Sequence, residues 1–322
     1  MRELVINANE ANQRLDKYLA KYMDLAPKSF FYKMLRKKNI TLNGKKAEGN
    51  EKLLINDVVR LFLAEDTIES FRSKKEQTVV KKTSKIKLDI IYEDKDILVI
   101  NKPVGMLSQK ASKDDVSLVE HIIEYLLSTG SLTTEDLATF TPGICNRLDR
   151  NTSGIVVAGK SLKGLQDMNE AFKSRSLHKF YLCLVKGKMS GKSLIDGYLF
   201  KDEKTNKVSI LKDAIEGALP IKTEYIVMDS NEKVTLLKVN LITGRSHQIR
   251  AHLASIGHPI IGDYKYGDKT INDKYKSIYK LESQLLHAYE LVMPDKTTVY
   301  TAKLPDKFLN VLKGDNIHGM DK

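Results

Sequence analysis

Five strand-length runs follow one another over 178–186, 193–200, 206–211, 220–228 and 233–242, and this β-rich stretch restricts the fold more than any other part of the chain. Before it, Leu88 to Tyr92, the turn Glu93-Asp94-Lys95-Asp96 and Ile97 to Ile100 read as a hairpin, and Ile155 to Ala158 as a further strand. Helices are expected from Ser117 to Leu127, from Leu162 to Phe172 and from Ser246 to Ile256, with a last strand over 298–303. Ser117 and Glu120 have the spacing of a capping box, in which each side chain satisfies a backbone N–H that the first helical turn leaves open. Consecutive strands with helices set among them argue for an α+β fold with a mainly antiparallel, mixed sheet flanked by helices, not a doubly wound one. No repeat of fixed period is present.

The first 63 residues read as a separate small α/β unit. Leu15, Tyr18, Leu19 and Tyr22 fall at helical spacing, and a second helix starts at Pro27 and Ser29 with Phe30, Phe31, Met34 and Leu35 on its core side. Ile40-Thr41-Leu42, the turn Asn43-Gly44 and Lys45-Lys46 follow, and Asn-Gly between such runs is a strong hairpin signal. Asp57 to Leu63 closes the unit as a strand. Residues 64–85 are polar and charged and read as a basic linker, and residues 86–322 form the second, larger domain. Charge separates the parts too. The chain has 322 residues and a net charge of +12, and residues 1–85 hold 19 of its 53 Lys and Arg but only 11 of its 41 Asp and Glu. A polyanionic partner, nucleic acid above all, fits that imbalance, against the plainer reading of a merely solvated basic surface.

Two helices followed by a basic hairpin resemble the S4-like RNA-binding domain. The pattern here is R-L-D-K-Y-L, then S-x-x-x-x-x-L-R-K-K-x-I-x-L-N-G, over about fifty residues. The resemblance implies that the second helix and its adjoining loop face RNA phosphates, with Arg36, Lys37, Lys38 and Lys45 as the contacts and counterion release as the driving force.

Two cysteines, Cys145 and Cys183, without a C-x-x-C pair imply neither a disulfide framework nor a zinc site. No apolar signal-peptide core follows Met1-Arg2-Glu3-Leu4 and no run is long enough to span a membrane, so a cytoplasmic protein is expected.

Three segments of the larger domain concentrate polar residues. The first, Asn146-Arg147-Leu148-Asp149-Arg150-Asn151-Thr152-Ser153-Gly154, sets one carboxylate between two arginines. Nearby positive charge favours the ionised form, so Asp149 can act as a nucleophile or bind a cation. In the second, His178 to Leu184, alternation places Lys179, Tyr181 and Cys183 on one strand face; an ordinary half-buried tyrosine is the plainer reading of Tyr181. The third is Thr243-Gly244-Arg245-Ser246-His247-Gln248-Ile249-Arg250-Ala251-His252-Leu253. Ser246 is the expected helix N-cap, Ile249, Leu253 and Ile256 form a buried stripe, and the basic residues at a helix start suit an anion. A metal is not expected: the histidines lack H-E-x-x-H spacing, and Arg250 would repel a cation.

Together the three segments resemble the RluA-type RNA pseudouridine synthases. They match that family's H-R-L-D-x-x-T-S-G, K-x-Y and G-R-x-H-Q-[IL]-R-x-H motifs, and Asn101-Lys102-Pro103-Val104-Gly105, Gly257 to Asp263 and Leu286-His287-Ala288 match further. Asn146 stands where the family has His, and Leu107-Ser108-Gln109 where it has V-H-P. The resemblance spans roughly 86–306. It implies a pseudouridine-synthase fold and cofactor-free isomerisation of uridine to pseudouridine in RNA. It implies Asp149 as the catalytic carboxylate, Arg250 as its partner, Tyr181 stacked on the target base with its hydroxyl helping to remove the C5 proton, and Leu286 in the apolar floor. Arg147, Arg150, Arg245, His247 and Gln248 are then candidates to hold RNA. Large-subunit (23S) ribosomal RNA is the expected substrate, with tRNA as the alternative, and a monomer is the simplest state. Among other classes, a non-catalytic RNA-binding protein has no need of Asp149, Tyr181 and Arg250 together. A phosphatase would want an Asp-x-Asp pair, and a zinc deaminase a C-x-x-C and an H-x-E pattern.

Overall fold

The computed structural model describes residues 1–73, 86–112, 114–202, 205 and 207–319. The N-terminal unit contains β1 (Arg2–Val5), α1 (Leu15–Tyr22), α2 (Lys28–Arg36), β2 (Ile40–Leu42), β3 (Lys45–Lys46), β4 (Val58–Leu61) and α3 (Glu65–Ser70). Its strands form an antiparallel sheet in the order β1-β4-β2-β3. Helix α1 buries the four residues its spacing marked, and α2 buries Phe31, Met34 and Leu35. Phe30 is only partly buried and lies against the Phe71 ring, 4.7 Å between centroids. The Asn43-Gly44 turn has both residues left-handed (φ 50° and 73°), which matches the twist of the flanking strands.

Part of the stretch expected as a linker is folded. Helix α3 lies inside 64–85, and its Ile68 is fully buried in the N-terminal core. A single apolar residue among Glu65, Asp66 and Glu69 gives too weak a periodic signal to mark a helix. The rest of the expected linker, 74–85, lies outside the described residues. A buried contact joins the unit to the larger domain: the Thr139 hydroxyl donates to Glu10 Oε1 at 2.6 Å.

The larger domain runs β5 (Ile90–Glu93), β6 (Ile97–Lys102), α4 (Leu118–Ser128), α5 (Asp136–Thr139), β7 (Gly143–Ile144), β8 (Ser153–Gly159), α6 (Leu162–Lys173), β9 (His178–Lys186), β10 (Lys192–Asp202), β11 (Lys207–Leu211), β12 (Leu219–Ser230), β13 (Val234–Leu241), α7 (Gln248–Ser255), α8 (Lys269–Tyr279), β14 (Leu286–Val292), β15 (Val299–Thr301) and α9 (Asp306–Gly314). The strands form one sheet in the order β11-β10-β12-β13-β9-β14-β8-β6-β5, with β15 on β14 and β7 on β8. Every pairing is antiparallel except β14 with β8. The chain therefore has the α+β architecture expected of it.

Both faces of the sheet centre are covered, which is why β8 and most of β9 read as nearly unbroken apolar runs. Tyr181, Cys183 and Val185 of β9 pack with α4 and α7 residues, while Leu182 and Leu184 pack with α8 and α9. The capping box of α4 forms, with the Ser117 N–H donating to Glu120 Oε2 at 2.8 Å. At the parallel crossing Gly154 has φ 111°, and a Cβ there would stand 2.2 Å from the Ala288 carbonyl oxygen. Only glycine lets β8 and β14 approach this closely.

Candidate active site

Asp149 sits on the loop from β7 into β8, and backbone bonds fix that loop. The Asn146 carboxamide donates to the Ile155 carbonyl (3.1 Å) and accepts from the Val157 N–H (2.8 Å), so it ties the loop to β8. That accounts for an amide at this departure from the family pattern. Ser108, in the second departure, donates to the Leu148 carbonyl (2.8 Å) and accepts from the Leu148 N–H (3.1 Å). Lys102 has no exposed surface. Its ammonium donates to the carbonyls of Pro103 (2.9 Å), Met106 (2.8 Å) and Arg150 (3.2 Å). Burial pulls its pKa down to about 8, against the opposing charge of Asp149.

Arg250 is the centre of the site. Its Nη1 donates to Asp149 Oδ2 at 2.8 Å, while Nε and Nη2 grip Asp263 at 2.7 and 2.9 Å. Asp263 is 1% exposed, whereas the Asp149 side chain keeps 30% of its surface open. Burial alone would lower the guanidinium pKa, but the bonds and charges of Asp263, then of Asp149, outweigh it and raise it. The bidentate grip orients Arg250, and Arg250 in turn orients Asp149. Arg250 engages Asp149 through Oδ2.

His247 takes the N-cap position expected of Ser246, in a left-handed conformation (φ 55°). Its Nε2 lies 3.8 Å from Asp149 Oδ2, and its Nδ1 is 2.8 Å from the Tyr266 hydroxyl. That hydroxyl also accepts from the Val208 N–H (3.1 Å). Burial lowers the His247 pKa, with Asp149 acting against and Arg250 with it, which favours the neutral ring.

A cleft of about 700 Å³ opens over Asp149. Tyr181, Leu148, Ile249 and Leu286 supply apolar lining, and Arg147, Arg150 and Arg245 are exposed at its edge. Burial, then the charge of Asp149, raises the Tyr181 pKa. Tyr181 therefore lines the cleft as a protonated phenol. Gln248 departs from its expected role. It is 2% exposed, and its carboxamide is spent on the Lys222 carbonyl, the Thr223 and Thr243 hydroxyls and the Arg245 N–H. It shapes the loop before α7 and has no amide group left for RNA. Ile256 also leaves its expected stripe, being 37% exposed beyond the end of α7. Arg36, Lys37, Lys38 and Lys45 are all exposed on the N-terminal unit and do not line the cleft. Among the described residues no three His, Cys, Asp or Glu side chains cluster as metal ligands, and no helix is long and apolar enough to cross a membrane.

The family model described as RNA pseudouridylate synthase matches residues 96–255, a span that includes Asp149, Tyr181 and Arg250. The chain is 32% identical to the ribosomal large subunit pseudouridine synthase C of Pasteurella multocida, over 94% of this chain and 88% of that protein. The chain belongs to the RNA pseudouridine synthase family. It is an isomerase of the class that converts uridine to pseudouridine in RNA. An uncharacterised RNA pseudouridine synthase of Mycoplasma genitalium is also 32% identical, over 94% of this chain and 91% of its own. Two solved structures share the fold. Human RNA pseudouridylate synthase domain containing 4 has a TM-score of 0.58 at 23% identity, covering 70% of this chain and 92% of its own. Domain containing 1 has a TM-score of 0.55 at 24% identity, covering 72% and 89%.

Three groups of this synthase's site were not marked as functional by the sequence. Asp263 and Tyr266 lie beyond the arginine they support, and Lys102 stood in the Asn101 to Gly105 match with no role attached to it. The signal for Asp263 was present in the Gly257 to Asp263 match, but its partner was not.

Proposed function

We propose that this chain isomerises uridine to pseudouridine in large-subunit ribosomal RNA, with Asp149 acting at the ribose. The observation that carries the assignment is the 2.8 Å bond from Arg250 to Asp149 Oδ2, made at the base of an open cleft beside Tyr181. The relatives' names support the RNA class. The target uridine must leave its stack to reach Asp149, at a cost of a few kcal/mol that is smaller in a loop than in a duplex. Tyr181 and Leu286 then hold the base while Oδ1 meets the sugar. Two routes use the same oxygen. It attacks C1′ as the N1–C1′ pair leaves with N1, or it takes the C2′ proton to give a glycal and later returns it. The base turns; on the first route the Oδ1–C1′ ester bond breaks, its pair returning to Asp149, as C5 bonds to C1′, and on the second C5 bonds to C1′ of the glycal as the carboxyl gives its proton back to C2′. In both, the C5 proton is then lost and N1 is protonated. Arg147, Arg150 and Arg245 hold phosphates at the rim, and the Arg36, Lys37, Lys38 and Lys45 surface engages RNA further away. The protein works as a monomer in the cytosol.

Pseudouridine mapping of total RNA from cells with and without the gene tests the reading. Sites in large-subunit rRNA should disappear with the gene and return with wild-type protein but not with Asp149→Asn. Loss confined to tRNA would overturn the substrate class, and restoration by Asp149→Asn would overturn the catalytic assignment.

A further inference from the structure

Most partly buried lysines whose partners can be traced in this protein meet a carboxylate or carbonyl oxygen. Lys160 meets Glu93, Lys186 meets Asp268, Lys238 meets Glu290, and Lys102 meets three carbonyls. Lys179 does not. Its side chain is partly buried in the wall of the catalytic cleft, and among the described residues it has neither an ion pair nor a hydrogen bond. Burial, then the charge of another cation, Arg175, lowers its pKa. Arg175 closes the turn between α6 and β9 in a left-handed conformation (φ 58°) and also lines the cleft without a partner among the described residues. Two adjacent cations, one of them partly desolvated, are unfavourable unless an anion joins them.

The loop before α7 comes close to this lysine: a Cβ on Gly244 would stand 3.4 Å from the Lys179 ammonium, in ordinary contact with it. Arg245 follows on that loop, exposed at the cleft. Strand alternation sets Lys179 on the same face as Tyr181, about 7 Å away along β9.

We propose that Lys179, with Arg175 and Arg245, forms a phosphodiester subsite that holds the RNA backbone next to the nucleotide stacked at Tyr181. A phosphodiester carries one negative charge and offers only acceptors, which complements an ammonium and two guanidinium forks. The subsite rests on the reading that RNA enters this cleft, and it supplies what that reading lacks: an anchor on the wall that bears Tyr181. Lys179 is a binding residue and takes no part in bond breaking.

The test uses the full chain and a fluorescein-labelled single-stranded RNA with one uridine, alone and with single methylphosphonate linkages on either side of that uridine. Lys179→Gln should weaken binding about tenfold at low salt and reduce the log–log salt slope by about one. Lys179→Arg should bind like wild type. Methylphosphonate at the held linkage should weaken wild type by the same factor and leave Lys179→Gln no worse. Lys179→Met should melt no lower than wild type, because it removes an unpaired, partly buried charge. An unchanged slope in Lys179→Gln, or a penalty that persists at every methylphosphonate position, would overturn the subsite. A lower melting temperature in Lys179→Met would make the lysine structural and overturn it too. Turnover by wild type is read separately, so binding effects with no pseudouridine formed would fault the proposed reaction and not the subsite.

Discussion

At the residue scale the active site is a cation shared between two carboxylates of unlike exposure. Asp263 is buried and holds Arg250 in place; Asp149 is open to the cleft. Asp149→Asn keeps the shape and removes the charge. Turnover should fall by more than about 10³-fold while RNA affinity changes little, as read by tritium release from C5-labelled RNA alongside equilibrium binding. Arg250→Met is predicted to do something different. It strands Asp263 at 1% exposure and should cost about 3–5 kcal/mol in urea unfolding, so its loss of activity would be partly a loss of fold. His287 makes stability depend on pH. It is fully buried between the Ser153 hydroxyl (2.9 Å) and the Ala302 carbonyl (3.2 Å), and burial lowers its pKa from 6.5 to about 4. The unfolded chain binds this proton more readily than the folded one. The stability that His287 contributes is therefore complete above pH 6.5 and is lost as pH falls toward 4, on the order of 3 kcal/mol in all. Urea unfolding at pH 7.5 and pH 5 should show the drop, and His287→Asn should reduce it.

At the scale of elements, local signals worked where one segment carries its own pattern. The α4 capping box, the Asn43-Gly44 turn and the amphipathic faces of α1 and α2 all formed from residues within a few positions of one another. The start of α7 did not follow the local rule. Ser246 is a good cap by type, but His247 occupies the cap position because Tyr266 and Asp149 hold its ring from other segments. Helix α3 escaped notice because its one buried residue, Ile68, gains meaning only against the core of the N-terminal unit. The basic end of α2 carries a prediction of its own. Lys37 and Lys38 are exposed, so replacing both with Ala should leave the fold intact, weaken RNA binding, and lower the salt slope by up to about two. A turnover number unchanged at saturating RNA would separate this surface from the chemistry.

At the scale of the whole molecule, a buried hydrogen bond links the N-terminal unit to the larger domain. Thr139→Val removes the donor to Glu10 and leaves a carboxylate oxygen without its partner, which should cost about 1–3 kcal/mol in urea unfolding. The sequence by itself determined the α+β class, the mainly antiparallel character of the sheet and the three motifs that hold Asp149, Tyr181 and Arg250, because hydrophobic period and motif spacing are written locally. It also placed Leu286 and the rim arginines. Only the tertiary structure decided which groups meet: that Arg250 serves Asp263 as well as Asp149, that Asn146 and Ser108 clamp the loop that carries Asp149, and that Gln248 is consumed by the protein. It likewise decided that Lys102 is buried and that Lys179 has no partner among the described residues. A side chain's type gives its capacity for charge and hydrogen bonds; burial and partners, set by contacts a hundred residues apart, decide how that capacity is used.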